Sequence, residues 1–144
     1  MYELLIVDDE ASSRDILASC FPWNEQGFHV CGQKDSGQEA LDFLKTNTVH
    51  VILTDISMPG MDAIGLAKAV SEMPGARPIV VFLSAYDNFK YAQNAIRYGV
   101  RYYVLKPTNF SELKEVFGTI KQELDLKYNV NPDEKQNQSS DEII

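Results

Sequence analysis

Basic residues are in deficit: 13 lysines and arginines stand against 21 acidic residues, giving a formal net charge of -8 over 144 residues. That balance argues against direct contact of this segment with nucleic acid or with an anionic membrane. Long apolar runs are missing too. No stretch approaches the roughly 18 residues of a membrane span, and Met1-Tyr2-Glu3 has no basic region followed by an apolar one. No membrane partner is therefore expected, and the expected location is the cytoplasm. Cysteine is limited to Cys20 and Cys31, without C-x-x-C spacing or partnered histidines, which speaks against a disulfide framework or a thiolate metal centre. Both are expected to be small buried apolar groups in a reducing compartment. His29 and His50 stand beside apolar strand residues and lack neighbours that would make them ligands or phosphorylated histidines.

What is present suffices for one domain, since 44% of residues are hydrophobic. Short apolar runs alternate with helical periods five times, the signature of β-α-β units and a parallel sheet in an α/β fold. Strands are expected near 2–7, 28–32, 49–54, 78–83 and 101–105, and helices near 10–20, 36–46, 62–73, 87–98 and 109–126. Leu113, Val116, Phe117, Ile120 and Leu124 recur at helical spacing and predict one buried face on the last helix. Asn109 or Ser111 can cap its start, Asp35-Ser36-Gly37 announces the second helix and Asp62 caps the third. Met73-Pro74-Gly75-Ala76-Arg77-Pro78 must end the third helix. Apolar residues thin out after Lys127, so 1–126 is expected to be the domain and 127–144 a disordered tail or truncated linker.

Chemically capable groups stand where the apolar runs stop. Asp55 ends Val49-His50-Val51-Ile52-Leu53-Thr54, Asp8-Asp9 follows Leu4-Leu5-Ile6-Val7, Ser84 follows Ile79-Val80-Val81-Phe82-Leu83, and Lys106-Pro107 follows Tyr102-Tyr103-Val104-Leu105. Open parallel sheets bind ligands beyond the carboxyl ends of their strands, so the four positions form one candidate site. Three clustered carboxylates repel one another unless a cation joins them, and an all-oxygen ligand set favours Mg²⁺ over zinc. Asp55 can attack phosphorus as a nucleophile, Asp8 and Asp9 can hold Mg²⁺, Lys106 offers a compact positive charge and Ser84 a hydroxyl donor to phosphoryl oxygens. Singly, each has a plainer explanation as a helix cap, a turn residue or a solvated charge. Their joint placement at strand ends carries the reading.

These residues resemble the receiver domain of two-component response regulators. The match runs through Leu5-Ile6-Val7-Asp8-Asp9-Glu10, Thr54-Asp55-Ile56-Ser57-Met58-Pro59-Gly60-Met61-Asp62, Leu83-Ser84-Ala85 and Tyr103-Val104-Leu105-Lys106-Pro107, and covers roughly residues 2–126. The resemblance implies a flavodoxin-like doubly wound sheet of five parallel strands in the order 2-1-3-4-5 with five helices. It implies phosphoryl transfer to Asp55 from a sensor histidine kinase, and a Mg²⁺ site made by Asp8, Asp9, Asp55 and the Ser57 carbonyl. It makes Ser84 and Tyr103 a switch pair, whose response to phosphorylation alters the helix 4/strand 5/helix 5 surface. It also implies a cis Lys106-Pro107 bond. Ala63 departs from the family's usual glycine, and Tyr102 from a frequent acidic residue.

Pro22-Trp23-Asn24-Glu25-Gln26-Gly27-Phe28 and Ala85-Tyr86-Asp87-Asn88-Phe89-Lys90-Tyr91-Ala92 are similar to receivers that precede AraC-type helix-turn-helix domains, as in YesN-like transcriptional regulators. Contact with DNA would then run through a domain absent from this chain. A different class is a phosphatase of the haloacid dehalogenase type. Those enzymes generally carry a second aspartate two residues after the nucleophile, where this chain has Ser57. A third reading is a degenerate receiver that only docks or dimerises, through Tyr86, Phe89, Tyr91, Tyr98 and Tyr102. It has no support while every phosphoacceptor residue is present, though a homodimer through that face stays a hypothesis. The expected activity is self-phosphorylation and autodephosphorylation, not turnover of a separate substrate.

Overall fold

The computed structural model describes residues 1–56, 58, 60–84, 95–106 and 110–128. In chain order these form β1 (Tyr2–Val7), α1 (Ala11–Cys20), a 3₁₀ turn (Asn24–Gln26), β2 (Phe28–Lys34), α2 (Gly37–Leu44), β3 (Val51–Asp55), α3 (Ala63–Ser71), β4 (Ile79–Ser84), a helical turn over 95–97 (α4), β5 (Tyr102–Leu105) and α5 (Phe110–Lys127). The strands make one parallel sheet in the order β2-β1-β3-β4-β5, which is the expected order.

The near-continuous apolar character of β1, β3 and β4 follows from burial on both faces. On one face Leu4, Ile6, Leu53, Val81 and Leu83 pack with Leu17, Trp23 and Phe117, beneath α1 and α5. On the other, Leu5, Val7, Ile52 and Phe82 pack with Ala40 and Leu66 of α2 and α3. Phe117 meets Trp23 and Phe28 edge-on at centroid distances of 4.9 and 5.2 Å, and the Trp23 Nε1–H donates to the Leu17 carbonyl at 2.9 Å, so the indole is buried without an orphaned donor. Gly27 makes the left-handed turn into β2 at φ 92°, where an added Cβ would come 2.7 Å from Lys121 Cε. Gly37 lets α2 approach the loop after β3, since a Cβ there would lie 2.8 Å from the Met61 carbonyl oxygen.

Ser36 and Asp62 cap α2 and α3 as expected: the Ser36 Oγ accepts from the Glu39 N–H at 3.2 Å and the Asp62 Oδ1 from the Gly65 N–H at 3.0 Å. Leu113, Phe117, Ile120 and Leu124 line the buried face of α5, with Val116 half-buried at its margin. Several expectations need correction. β2 runs to Lys34 rather than ending near residue 32, because Gln33 and Lys34 pair with Ile6 and Val7 of β1 beyond a bulge at Leu4/Leu5. β3 starts at Val51 and takes in Asp55 as its last residue. Ser111 is no cap, since α5 has already begun at Phe110; Asn109 lies outside the described residues. Cys20 is exposed on the outward side of α1 rather than buried, and Cys31 is half-buried with its thiol directed to the Leu4 carbonyl at 3.4 Å. The 87–98 helix is described only over 95–97, and residues 129–144 and the Lys106-Pro107 bond fall outside the described residues; Lys127, expected in the tail, is the last residue of α5. No described helix is long and apolar enough to cross a membrane.

Candidate functional site

Strand register brings the polar groups level. Val7 pairs with Thr54, Asp55 with Leu83, and Ser84 with Leu105, so the loops after β1, β3, β4 and β5 leave the sheet at one edge. One carboxylate oxygen from each of Asp8, Asp9 and Asp55 lies within 4.8 Å of the other two. The three differ in setting: Asp8 is buried at 2% exposure, Asp9 is exposed and Asp55 is half-buried.

Asp8 is firmly held. Its Oδ1 accepts from the Glu10 N–H at 2.9 Å and its Oδ2 from the Lys106 Nζ at 3.2 Å, while its own N–H donates to the Lys34 carbonyl at 3.0 Å. Asp8 is therefore not the side-chain cap of α1; Glu10 occupies the N-cap position, without a side-chain capping bond. Lys106 also stands 3.2 Å from Asp55 Oδ1, so one ammonium bridges two carboxylates. Behind Asp55, the buried Thr54 hydroxyl donates to the Asp55 carbonyl at 2.9 Å.

The charges do not balance. Burial pushes the Asp55 carboxyl above its ordinary range, Lys106 draws it back, and the neighbouring Asp8 and Asp9 push it up again, with the net shift upward. Lys106 moves as an ion-pair partner should: burial disfavours its charge, but Asp55 and Asp8 outweigh burial and its pKa rises. One ammonium among three carboxylates leaves negative charge uncompensated. A divalent cation would neutralise it. Mg²⁺ takes oxygen ligands at about 2.1 Å in octahedral geometry, so oxygens 4.8 Å apart or closer need only small side-chain rotations to share one ion. No histidine or thiolate joins the cluster among the described residues, which fits a hard cation.

Of the remaining expected site residues, Ser57 lies outside the described residues, and so does the side chain of Ser84, whose backbone ends β4. Tyr103 is half-buried in β5, packed against the core on the α3 side, and borders a cavity of about 300 Å³ with Ile96, Val100 and Tyr102. Tyr102, where the family often has an acidic residue, donates its hydroxyl to Glu123 Oε1 at 2.7 Å and so ties β5 to α5. Tyr98 and Tyr102 are half-buried, while Tyr86, Phe89 and Tyr91 fall outside the described residues. Arg14 escaped sequence reasoning: its Nη1 donates to the Asp8 carbonyl at 2.6 Å. A cation in the first turn of the helix that follows the acidic pair was the available signal.

A family model described as the response regulator receiver domain matches residues 4–117. The chain is 35% identical over 127 residues to the transcriptional regulatory protein YesN of Bacillus subtilis, covering 85% of this chain and 34% of that protein. Among solved structures, it is similar to the receiver domain of AraT, a response regulator from Geobacillus stearothermophilus, with 36% identity, a TM-score of 0.80, and coverage of 88% of this chain and 98% of that one. A two-component transcriptional regulator AraC from Clostridium phytofermentans is similar at 31% identity and a TM-score of 0.77, over 91% of this chain and all of that one, 100%. The chain thus spans about a third of the length of its curated relative YesN.

Proposed function

The chain belongs to the response regulator receiver domain family, and from that premise we propose that Asp55 accepts a phosphoryl group from a sensor histidine kinase. Receivers of this family interact with histidine kinases, bind Mg²⁺ at an acidic pocket, and are generally not catalytic enzymes. The observation that carries the reading is the convergence of Asp8, Asp9 and Asp55 oxygens within 4.8 Å, with Lys106 bridging Asp8 and Asp55.

In the proposed transfer an Asp55 oxygen attacks phosphorus, and the bond from phosphorus to the kinase histidine nitrogen breaks. Asp8, Asp9, Asp55 and the Ser57 carbonyl would hold Mg²⁺, which supplies positive charge to the phosphoryl oxygens. Lys106 gives up part of its pairing with Asp55 to reach the same oxygens. A groove of about 440 Å³ opens beside Asp8 and Lys106, between α1 and the start of α5, and Asp55 is itself only half-buried, which supports approach by a donor. Ser84 then engages the phosphoryl group and Tyr103 turns inward, altering the face made by α4, β5 and α5. The domain is taken as residues 1–126, with 127–144 a tail or linker, and the setting as the cytoplasm. The transcriptional relatives support an output through a DNA-binding domain beyond this chain. Homodimerisation through the switched face belongs to the same proposal, and a monomer by ultracentrifugation in both states would exclude it for this chain.

The test is incubation with acetyl phosphate, with and without Mg²⁺, followed by intact mass, with Asp55→Asn as control. A metal-dependent adduct of one phosphoryl group that disappears in the variant is expected. Mg²⁺ binding without any adduct would sink the phosphoacceptor role in favour of docking, and steady hydrolysis of phosphate esters would replace it with an enzyme.

A further inference from the structure

We propose that Arg14 is a positioning residue that sets the direction of the Asp9 carboxylate by gripping the peptide between Asp8 and Asp9. The proposal rests on the Mg²⁺ reading of the acidic cluster. The Arg14 Nη1 donates to the Asp8 carbonyl at 2.6 Å, while its Nε is buried and has no hydrogen-bond partner among the described residues. Burying an orphaned guanidinium N–H is unfavourable, and such a group in a native fold calls for an explanation. Stability alone is a poor one, because an apolar side chain of similar length would fill the space without stranding a donor. Among the described residues, the one hydrogen bond that orients this guanidinium is the bond to the Asp8 carbonyl.

That carbonyl belongs to the peptide joining two carboxylates with unequal support. Asp8 has its own anchors, the Glu10 N–H on one oxygen and Lys106 on the other. Asp9 is exposed, and no hydrogen bond among the described residues fixes its carboxylate. Rotation of the Asp8–Asp9 peptide would leave Asp8 tethered and swing Asp9 out of the cluster. Arg14 resists that rotation from α1, whose first turn is itself anchored by the Arg14 N–H to the Glu10 carbonyl at 3.1 Å. Groups that orient metal ligands from outside the ligand set commonly influence metal affinity 10- to 100-fold, roughly.

The measurement is Mg²⁺ affinity by isothermal titration calorimetry on the parent, R14M and R14K, with thermal unfolding of each recorded without metal. R14M keeps the length and removes the donor; R14K restores one donor without the stranded Nε. R14M is expected to bind Mg²⁺ about tenfold more weakly, with R14K nearer the parent. The loss should be largely absent when Asp9→Asn is already in place. R14M binding Mg²⁺ like the parent, or losing equally with and without Asp9→Asn, would overturn the role. R14Q, polar but too short to reach the carbonyl, takes the place of R14M if that variant does not fold. A parent that binds no Mg²⁺ would instead overturn the reading of the cluster on which this role rests.

Discussion

Asp55 is held in a setting that works against its own charge. Its folded pKa is raised above 3.8, so between that value and the raised one the folded state binds more protons than the unfolded state, and stability falls as pH rises through that window. At neutral pH the metal-free fold therefore carries a penalty for the ionised side chain. Asp55→Asn should raise the thermal midpoint in chelator-treated buffer at neutral pH, with the difference shrinking on acidification; an unchanged or lower midpoint would contradict it. Lys106 has the opposite sign: its raised pKa marks a stabilisation present throughout the neutral range and lost only at alkaline pH above 10.5. Lys106→Met strips the cluster of its ammonium and should cost on the order of 2 kcal/mol in urea unfolding without metal, less than the roughly 3–5 kcal/mol of a fully buried pair because the lysine side chain is 23% exposed. Added Mg²⁺ should recover part of that loss. The residue types at these positions were legible as strand-end signals. Their opposite contributions at neutral pH were not, because these depend on how deeply neighbouring elements bury each group and on which charges they bring beside it.

Elements place these groups through ordinary packing. α5 is held by Phe117, fully buried and edge-on to Trp23 and Phe28, and by the ties of Tyr102 and Arg101 to Glu123. Phe117→Ala should cost about 3–5 kcal/mol by calorimetry or urea titration, since a large cavity opens between α5 and the sheet. A loss below about 1 kcal/mol would mean that the aromatic cluster closes over the gap. The buried stripe of α5 was readable from its helical period, and the caps at Ser36 and Asp62 from residue type. The true end of β2 was not, because Gly32-Gln33-Lys34 carries little apolar signal and is held in the sheet by its pairing with β1. Nor was the exposure of Cys20, which depends on which side of α1 meets the core.

At the scale of the whole molecule, the net charge of -8 and the acidic edge favour cation binding, and ligand that binds only the folded state stabilises it. Mg²⁺ at 100 times its dissociation constant should add roughly 2.7 kcal/mol to unfolding free energy. The gain should largely vanish when Asp8 and Asp9 are both changed to Asn; an undiminished gain in that variant would place the ion elsewhere. The alternating apolar runs alone determined a parallel α/β sheet, and with it that Asp8, Asp9, Asp55 and Lys106 would sit at one edge, because side-chain period and strand direction are local properties. Only the tertiary structure decided that Asp8 is sealed while its neighbour Asp9 is exposed, that a lysine 98 residues away bridges Asp8 and Asp55, and that Arg14 reaches the Asp8 carbonyl. These are contacts between separate elements, and their geometry is set by how helices seat on the sheet, which no local pattern of residues carries.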